Sequence, residues 1–166
     1  MPVVIADTGP IHYLVLIGES EILFRLFAKI LIPAAVREEL LHPEAPETVR
    51  AWTTAPPDWL DIRAAPVADD ADPILARLDW GERAALALAQ AVRADLLLID
   101  DREAVAVARG KGFSVTGTLG VLDLAARRGL IDLAAAVALL KATNFRYRPE
   151  TLDALLAAHT ANGQAG

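Results

Sequence analysis

Asp7 closes the apolar run "VVIA", the pair Asp100-Asp101 closes "LLLI", and between them Glu39 and Glu82 fall on inward faces of helical segments. In "PAAVREELL" Glu39 follows Val36 by three residues and adjoins Leu40, whereas Glu38 points about 200° from Val36 at 100° per residue. Glu39 therefore leans toward the core and Glu38 toward water. In "GERAALALAQAV" Glu82 shares a stripe with Ala85, Ala89 and Val92, the face expected against the sheet. An isolated buried carboxylate costs several kcal/mol, so it takes up a proton or finds a cation. No basic residue directly follows Asp7 or precedes Asp100. A divalent cation is the simplest counter-charge, and oxygen-only ligands favour Mg²⁺ or Mn²⁺. Such ions activate water and stabilise negative charge developing on oxygen, which is hydrolytic chemistry. Singly, each acid also has a structural reading. Asp7 suits a helix cap, Glu39 a partner for Arg37 or Arg63, Glu82 a capping or dipole acid, and one of the pair a cap for the helix opening at Arg102. Their convergence favours the metal.

That convergence depends on the elements. Val3 to Ala6 reads as a short buried strand, followed by a helix to about Ile17 that Thr8 can cap and Pro10 can open. Helices are expected over Glu21 to Ala28 and from Pro33 through Leu41, with a strand at Ile30–Ile32 between them. The four prolines of residues 43–58 break regular structure, leaving room for a single turn around Val49, and Trp59 to Arg63 reads as a strand. Asp69 to Arg93 is helical with a break near Gly81. The strand "LLLI", a helix at Arg102 to Lys111 and a strand in "FSVTG" follow. Helices at 118–128, 132–142 and after Pro149 complete the chain. Strands alternating with helices imply crossovers, hence an α/β fold of three layers, α/β/α, with a mainly parallel sheet. In such sheets ligands bind beyond the carboxyl ends of the strands, where Asp7 and Asp100 belong.

At 166 residues, 54% of them hydrophobic, the chain fits one folded domain. No apolar run spans a bilayer and the N-terminus lacks a leader pattern, so a cytoplasmic location with no membrane contact is expected. Absent cysteine excludes disulfides and thiolate metal sites, and His12, His42 and His159 share no ligand spacing. The net charge of −6 conceals an asymmetry. Residues 1–101 carry 8 basic and 17 acidic side chains, and residues 102–148 carry 8 and 3. From charge alone, solvated helix faces are the favoured account of the basic segment, ahead of a polyanion partner.

Taken together, "VIADTGP", "IPAAVREELL", "DWGERAALALA" and "LLLIDDREAVAVARGKG" resemble the PIN-domain ribonucleases, and within them the VapC-like toxins of toxin–antitoxin pairs. The 18 residues from Glu82 to Asp100 match that family's step between its third and fourth acids, and "VTGTLGVLDLAARRGLI" is similar to a branch with a glycine-threonine turn. The resemblance covers residues 3–145. It implies a PIN-like nuclease domain over 1–145, with 146–166 a C-terminal helical extension of the same domain. It makes Asp7, Glu39, Glu82 and Asp100 the catalytic acids of an Mg²⁺- or Mn²⁺-dependent endoribonuclease. Asp7, Asp100, Glu82 and Asp101 are the metal ligands, Asp101 replacing or assisting Asp100. Thr8 is the hydroxyl neighbour of the first acid. It implies RNA as substrate, gripped by Arg102, Arg109, Lys111, Arg127 and Arg128 beside Thr8. It also implies a cognate antitoxin and a homodimer, for which Leu14, Leu16, Ile17 and Ile22 to Phe27 offer apolar surface.

Other acid-bearing α/β sites fit less well. A dehalogenase-type phosphatase needs a second Asp where Gly9 stands, and "GTLG" lacks the glycine spacing and lysine of a nucleotide loop. The non-enzymatic alternative is a catalytically silent PIN-like binding module acting through its acidic pocket.

Overall fold

Val4–Ala6 forms β1, and its three side chains are fully buried on alternating sides: Val4 and Ala6 join one core, Ile5 the other. The same alternation recurs in β2 (Ile30–Pro33) and β4 (Leu96–Leu98). Strands buried on both faces belong to a parallel sheet covered by helices. In this computed structural model, which describes residues 1–67 and 72–165, β3 (Leu60–Arg63) and β5 (Val115–Thr116) complete a five-stranded sheet. Its order is β3-β2-β1-β4-β5 and every pairing is parallel. The order reverses between β1 and β4, whose register pairs Ala6 with Leu98 and sends Asp7 and Ile99-Asp100 off the same edge.

One face is covered by α1 (Thr8–Leu16), α2 (Glu21–Phe27), α7 (Thr118–Arg127), α8 (Leu133–Lys141) and α9 (Pro149–Ala165). Leu152 of α9 is buried in that core. Val36 and Leu40 of α3 (Ala34–Leu40) and Val49 of α4 (Glu47–Thr54) join it. The other face carries α5 (Trp80–Val92) and α6 (Arg102–Gly110). The expected three-layer α/β/α architecture is present, its sheet wholly parallel. Among the described residues no helix is long and apolar enough to cross a membrane.

Three local expectations differ. Residues 43–58 hold α4, more than two turns long, because Pro46 occupies the N-cap position outside the helix while Val49 and Thr53 are buried. The expected helix over 69–93 begins only at Trp80, after a 3-10 turn at Leu75–Arg77, and residues 69–71 lie outside the described residues. Gly81 does not break α5; it lies in the first turn. The apolar surface of α1 and α2 is mostly consumed within the chain, since Leu14, Ile17, Ile22, Leu23 and Phe27 are buried and Phe24 stays exposed.

Candidate active site

Asp7 is held at the sheet edge by its own backbone, whose N–H donates to the Leu98 carbonyl at 2.9 Å. It occupies the N-cap position of α1, yet its side chain makes no capping bond, and Thr8, expected as the cap, is the first helical residue. Asp7 is 7% exposed and its Oδ1 has no hydrogen-bond partner. Among the described residues only Trp59 Nε1 shares that condition. Burial pushes the Asp7 pKa up to about 8, the Thr8 backbone N–H offsets part of this, and the charges of Asp79, Glu82 and Glu39 raise it further. A helix N-terminus favours an ionised acid. Here dehydration outweighs it.

Glu39 and Glu82 reach the same place from two helices. Glu39 Oε2 accepts the Thr8 hydroxyl and Oε1 accepts the Gly81 N–H at 3.1 Å, which ties α3 to α1 and α5. A Cβ at Gly81 would lie 2.5 Å from Glu39 Oε1, so glycine is the residue that admits this carboxylate. Glu38 is exposed, as the helical phase requires. Glu82, 8% exposed, sits in a reciprocal cap: its N–H donates to Asp79 Oδ1 at 2.8 Å, and its Oε2 accepts the Asp79 N–H at 3.1 Å. Burial first and the Asp79 charge second push Glu82 up to about 7, and burial likewise raises Glu39. Asp79 thus faces Asp7, Glu39 and Glu82 together. Its "DWGE" context spells a capping box, and that signal marks Asp79 beside the acids read from phase.

Asp100 occupies the other side of the rim. Thr118 holds both its oxygens, the backbone N–H on Oδ1 at 2.7 Å and the hydroxyl on Oδ2 at 2.6 Å. A Cβ at Gly117 would stand 2.5 Å from Asp100 Oδ1, and one at Gly9 3.0 Å from Oδ2. The glycine-threonine turn therefore accommodates and clamps Asp100. Burial raises the Asp100 carboxyl, partly offset by the two Thr118 bonds. Asp101 turns outward as the N-cap of α6, accepting the Ala104 N–H at 3.0 Å, while its charge still reaches Glu82.

Among the described residues no ion pair engages any of these acids, and neither Arg37 nor Arg63 meets Glu39; Arg63 pairs with Asp61. No three of the acids are arranged as a preassembled metal ligand set among the described residues. The chemistry of the donors nevertheless fits a hard divalent cation: all are carboxylate oxygens, and Asp7 Oδ1 is buried without a partner.

Of the basic residues read as RNA contacts, Arg102 alone lines the cleft at Asp100. Arg109 and Lys111 lie at the far end of α6, roughly 10 Å along its axis, and Lys111 pairs with Asp72. Arg127 and Arg128 end α7, whose start touches Asp100, and Arg127 pairs with Asp123 at 3.0 Å. Thr8 is engaged by Glu39. Arg146, Tyr147 and Arg148, which charge counting did not single out, line that same cleft. In comparisons with known proteins, a family model described as a PIN domain matches residues 3–161. No curated protein matches the chain.

Proposed function

The chain belongs to the PIN-domain family, generally nucleases, and on that premise we propose that it is a metal-dependent endoribonuclease. Asp7, Glu82 and Asp100 hold Mg²⁺ or Mn²⁺, and Asp101 assists from the rim. When bound, the ion supplies an activated water and a counter-charge for the phosphoryl oxygens. Glu39, oriented by the Thr8 hydroxyl and the Gly81 N–H, would be the carboxylate that orients such a water and accepts its proton. Residues 1–145 carry this chemistry, and 146–166 extend the same domain. The observation that carries the reading is Asp7 Oδ1, dehydrated, unpartnered and facing three further acids.

The test is Mn²⁺-dependent cleavage of RNA by the purified chain, abolished by chelator, by Asp7→Asn and by Glu82→Gln. Glutamine still accepts the Asp79 N–H, so Glu82→Gln removes charge and keeps the cap. RNA left intact by the native protein at saturating Mn²⁺ would overturn the reading.

We further read the protein as the toxin of a toxin–antitoxin pair, a cytoplasmic homodimer silenced by an antitoxin that offers a basic side chain to the acidic pocket. Its support is the resemblance, together with rim acids that no ion pair engages among the described residues. The silent binding module has one observation in its favour: Glu39, Glu82 and Asp100 already accept hydrogen bonds from within the chain. Mn²⁺ separates the two readings. Metal raises the melting temperature of the enzyme, and leaves the module's unchanged.

A further inference from the structure

The link between α8 and α9 alternates aromatic and basic residues, Phe145-Arg146-Tyr147-Arg148, of which the first is half-buried and the other three are exposed. Phe145 turns inward and packs edge-on against Tyr13, ring centroids 5.0 Å apart. The Tyr13 hydroxyl donates to Asn144 Oδ1 at 3.0 Å, and Thr143 Oγ1 accepts the Phe145 N–H at 3.1 Å, so the link is pinned at its start. Arg146, Tyr147 and Arg148 turn outward. With Arg102 they wall a cleft of about 280 Å³ that contains Asp100 and Gly117. Burial and the Asp100 charge raise the Tyr13 phenol while Arg146 lowers it, so both charges reach this side chain.

Arg102, Arg146 and Arg148 have no ion-pair partner, and Tyr147 has no ring partner, among the described residues. Three arginines around one acidic group serve no internal neutralisation. They fit a polyanion that passes the Asp100 carboxylate, since guanidinium groups grip phosphate in planar, paired fashion. An exposed tyrosine beside such a track stacks only on a base already free of a duplex.

We propose that Arg102, Arg146 and Arg148 seat the phosphates, and Tyr147 an unpaired base, of a single-stranded RNA segment led past Asp100. This rests on the nuclease reading of the acidic rim and names the form of its substrate.

The test is fluorescence anisotropy with a labelled single-stranded RNA of about 12 nucleotides and with its duplex, in Mn²⁺ and in an Asp7→Asn background that prevents cleavage. Arg146→Ala/Arg148→Ala should weaken single-strand binding about tenfold and lower the log–log salt slope by about 1.4, or ~0.7 per lost phosphate contact. Tyr147→Ala should weaken it about fivefold or more, and Tyr147→Phe should restore it. These side chains are exposed, and unchanged melting temperatures establish that the variants fold. Unaltered affinity and slope in the double arginine variant, or duplex bound as tightly as single strand, would overturn the seat even if the native chain cleaves RNA. Arginine-dependent binding by a native chain that never cleaves would keep the seat and remove the nuclease.

Discussion

Asp7 and Asp100 leave neighbouring strands at one sheet edge, yet they are treated oppositely. Asp100 has both oxygens held by one threonine and a floor of glycine backbone shaped around it. Asp7 has an oxygen with no partner, almost no water, and three acids for neighbours. One side of the rim is satisfied by the fold. The other is left for something the chain does not supply. Sites commonly carry such local cost in return for chemistry, and the two aspartates separate the stabilising half of this site from the costly half.

Asp7→Asn breaks that contrast most severely. In the fold Asp7 keeps its proton to about pH 8, whereas the unfolded chain releases it near 3.8. Between these values the folded state binds one more proton, so stability falls as pH rises from about 4 to about 8. The whole shift corresponds to something on the order of 5 kcal/mol. Glu82, raised from 4.5 to about 7, contributes with the same sign and less weight because its shift is smaller. Without metal, Asp7→Asn should therefore be more stable than the native chain by a few kcal/mol at pH 8.5, and much less so at pH 5. Urea midpoints at the two pH values, in chelator, provide the measurement. Matching midpoints at pH 8.5 would mean that Asp7 is not the costly member.

Mn²⁺ sharpens the same difference. Binding must displace the Asp7 proton, so the metal-induced rise in melting temperature should grow from pH 6 to pH 8 and vanish in Asp7→Asn. A rise of equal size at both pH values would put the ion elsewhere.

On the satisfied side the expected effects are smaller and opposite in sign. Thr118→Val leaves Asp100 Oδ2 without its hydroxyl donor and should cost ~1–3 kcal/mol by urea titration, with Thr118→Ser recovering most of it. On the Asp7 side, Glu39 does have its partners, so Gly81→Ala, which drives a methyl group into that carboxylate, should also cost ~1–3 kcal/mol. If either variant gained stability as Asp7→Asn does, the division of the rim would be lost.

The sheet was legible because short β-branched runs alternated with helical periods, and the strand-end acids because a carboxylate after an apolar run stands out. Glu39 and Glu82 followed from phase alone, since the inward face of a helix is a matter of 100° steps. Asp79 was not legible that way, because a residue just outside a helix has no helical phase; the box it forms with Glu82 was the available signal. The helix at Glu47–Thr54 escaped because prolines were counted as breakers, whereas Pro46 borders the helix and leaves its interior intact. The basic segment was the weakest reading. A charge count along the chain does not say which end of a helix a residue occupies, so Arg109 and Lys111 looked equivalent to Arg102, although only Arg102 lies beside Asp100.

The smallest expected effect settles a question of register. Asp101 adjoins Asp100, reaches Glu82 electrostatically, and also caps α6 through the Ala104 N–H. Asparagine caps about as well as aspartate, whereas alanine costs ~1 kcal/mol. Asp101→Asn should thus leave stability within about 0.5 kcal/mol, and Asp101→Ala should lose ~1 kcal/mol. If Asp101 is a cap with a distant electrostatic influence, Asp101→Asn keeps most of the Mn²⁺ response while Asp100→Asn does not. Should Asp101→Asn instead fold normally and lose the Mn²⁺ response, the outward acid is the ligand. The Thr118 clamp would then hold Asp100 for the architecture of the rim, and the satisfied half would owe the ion nothing.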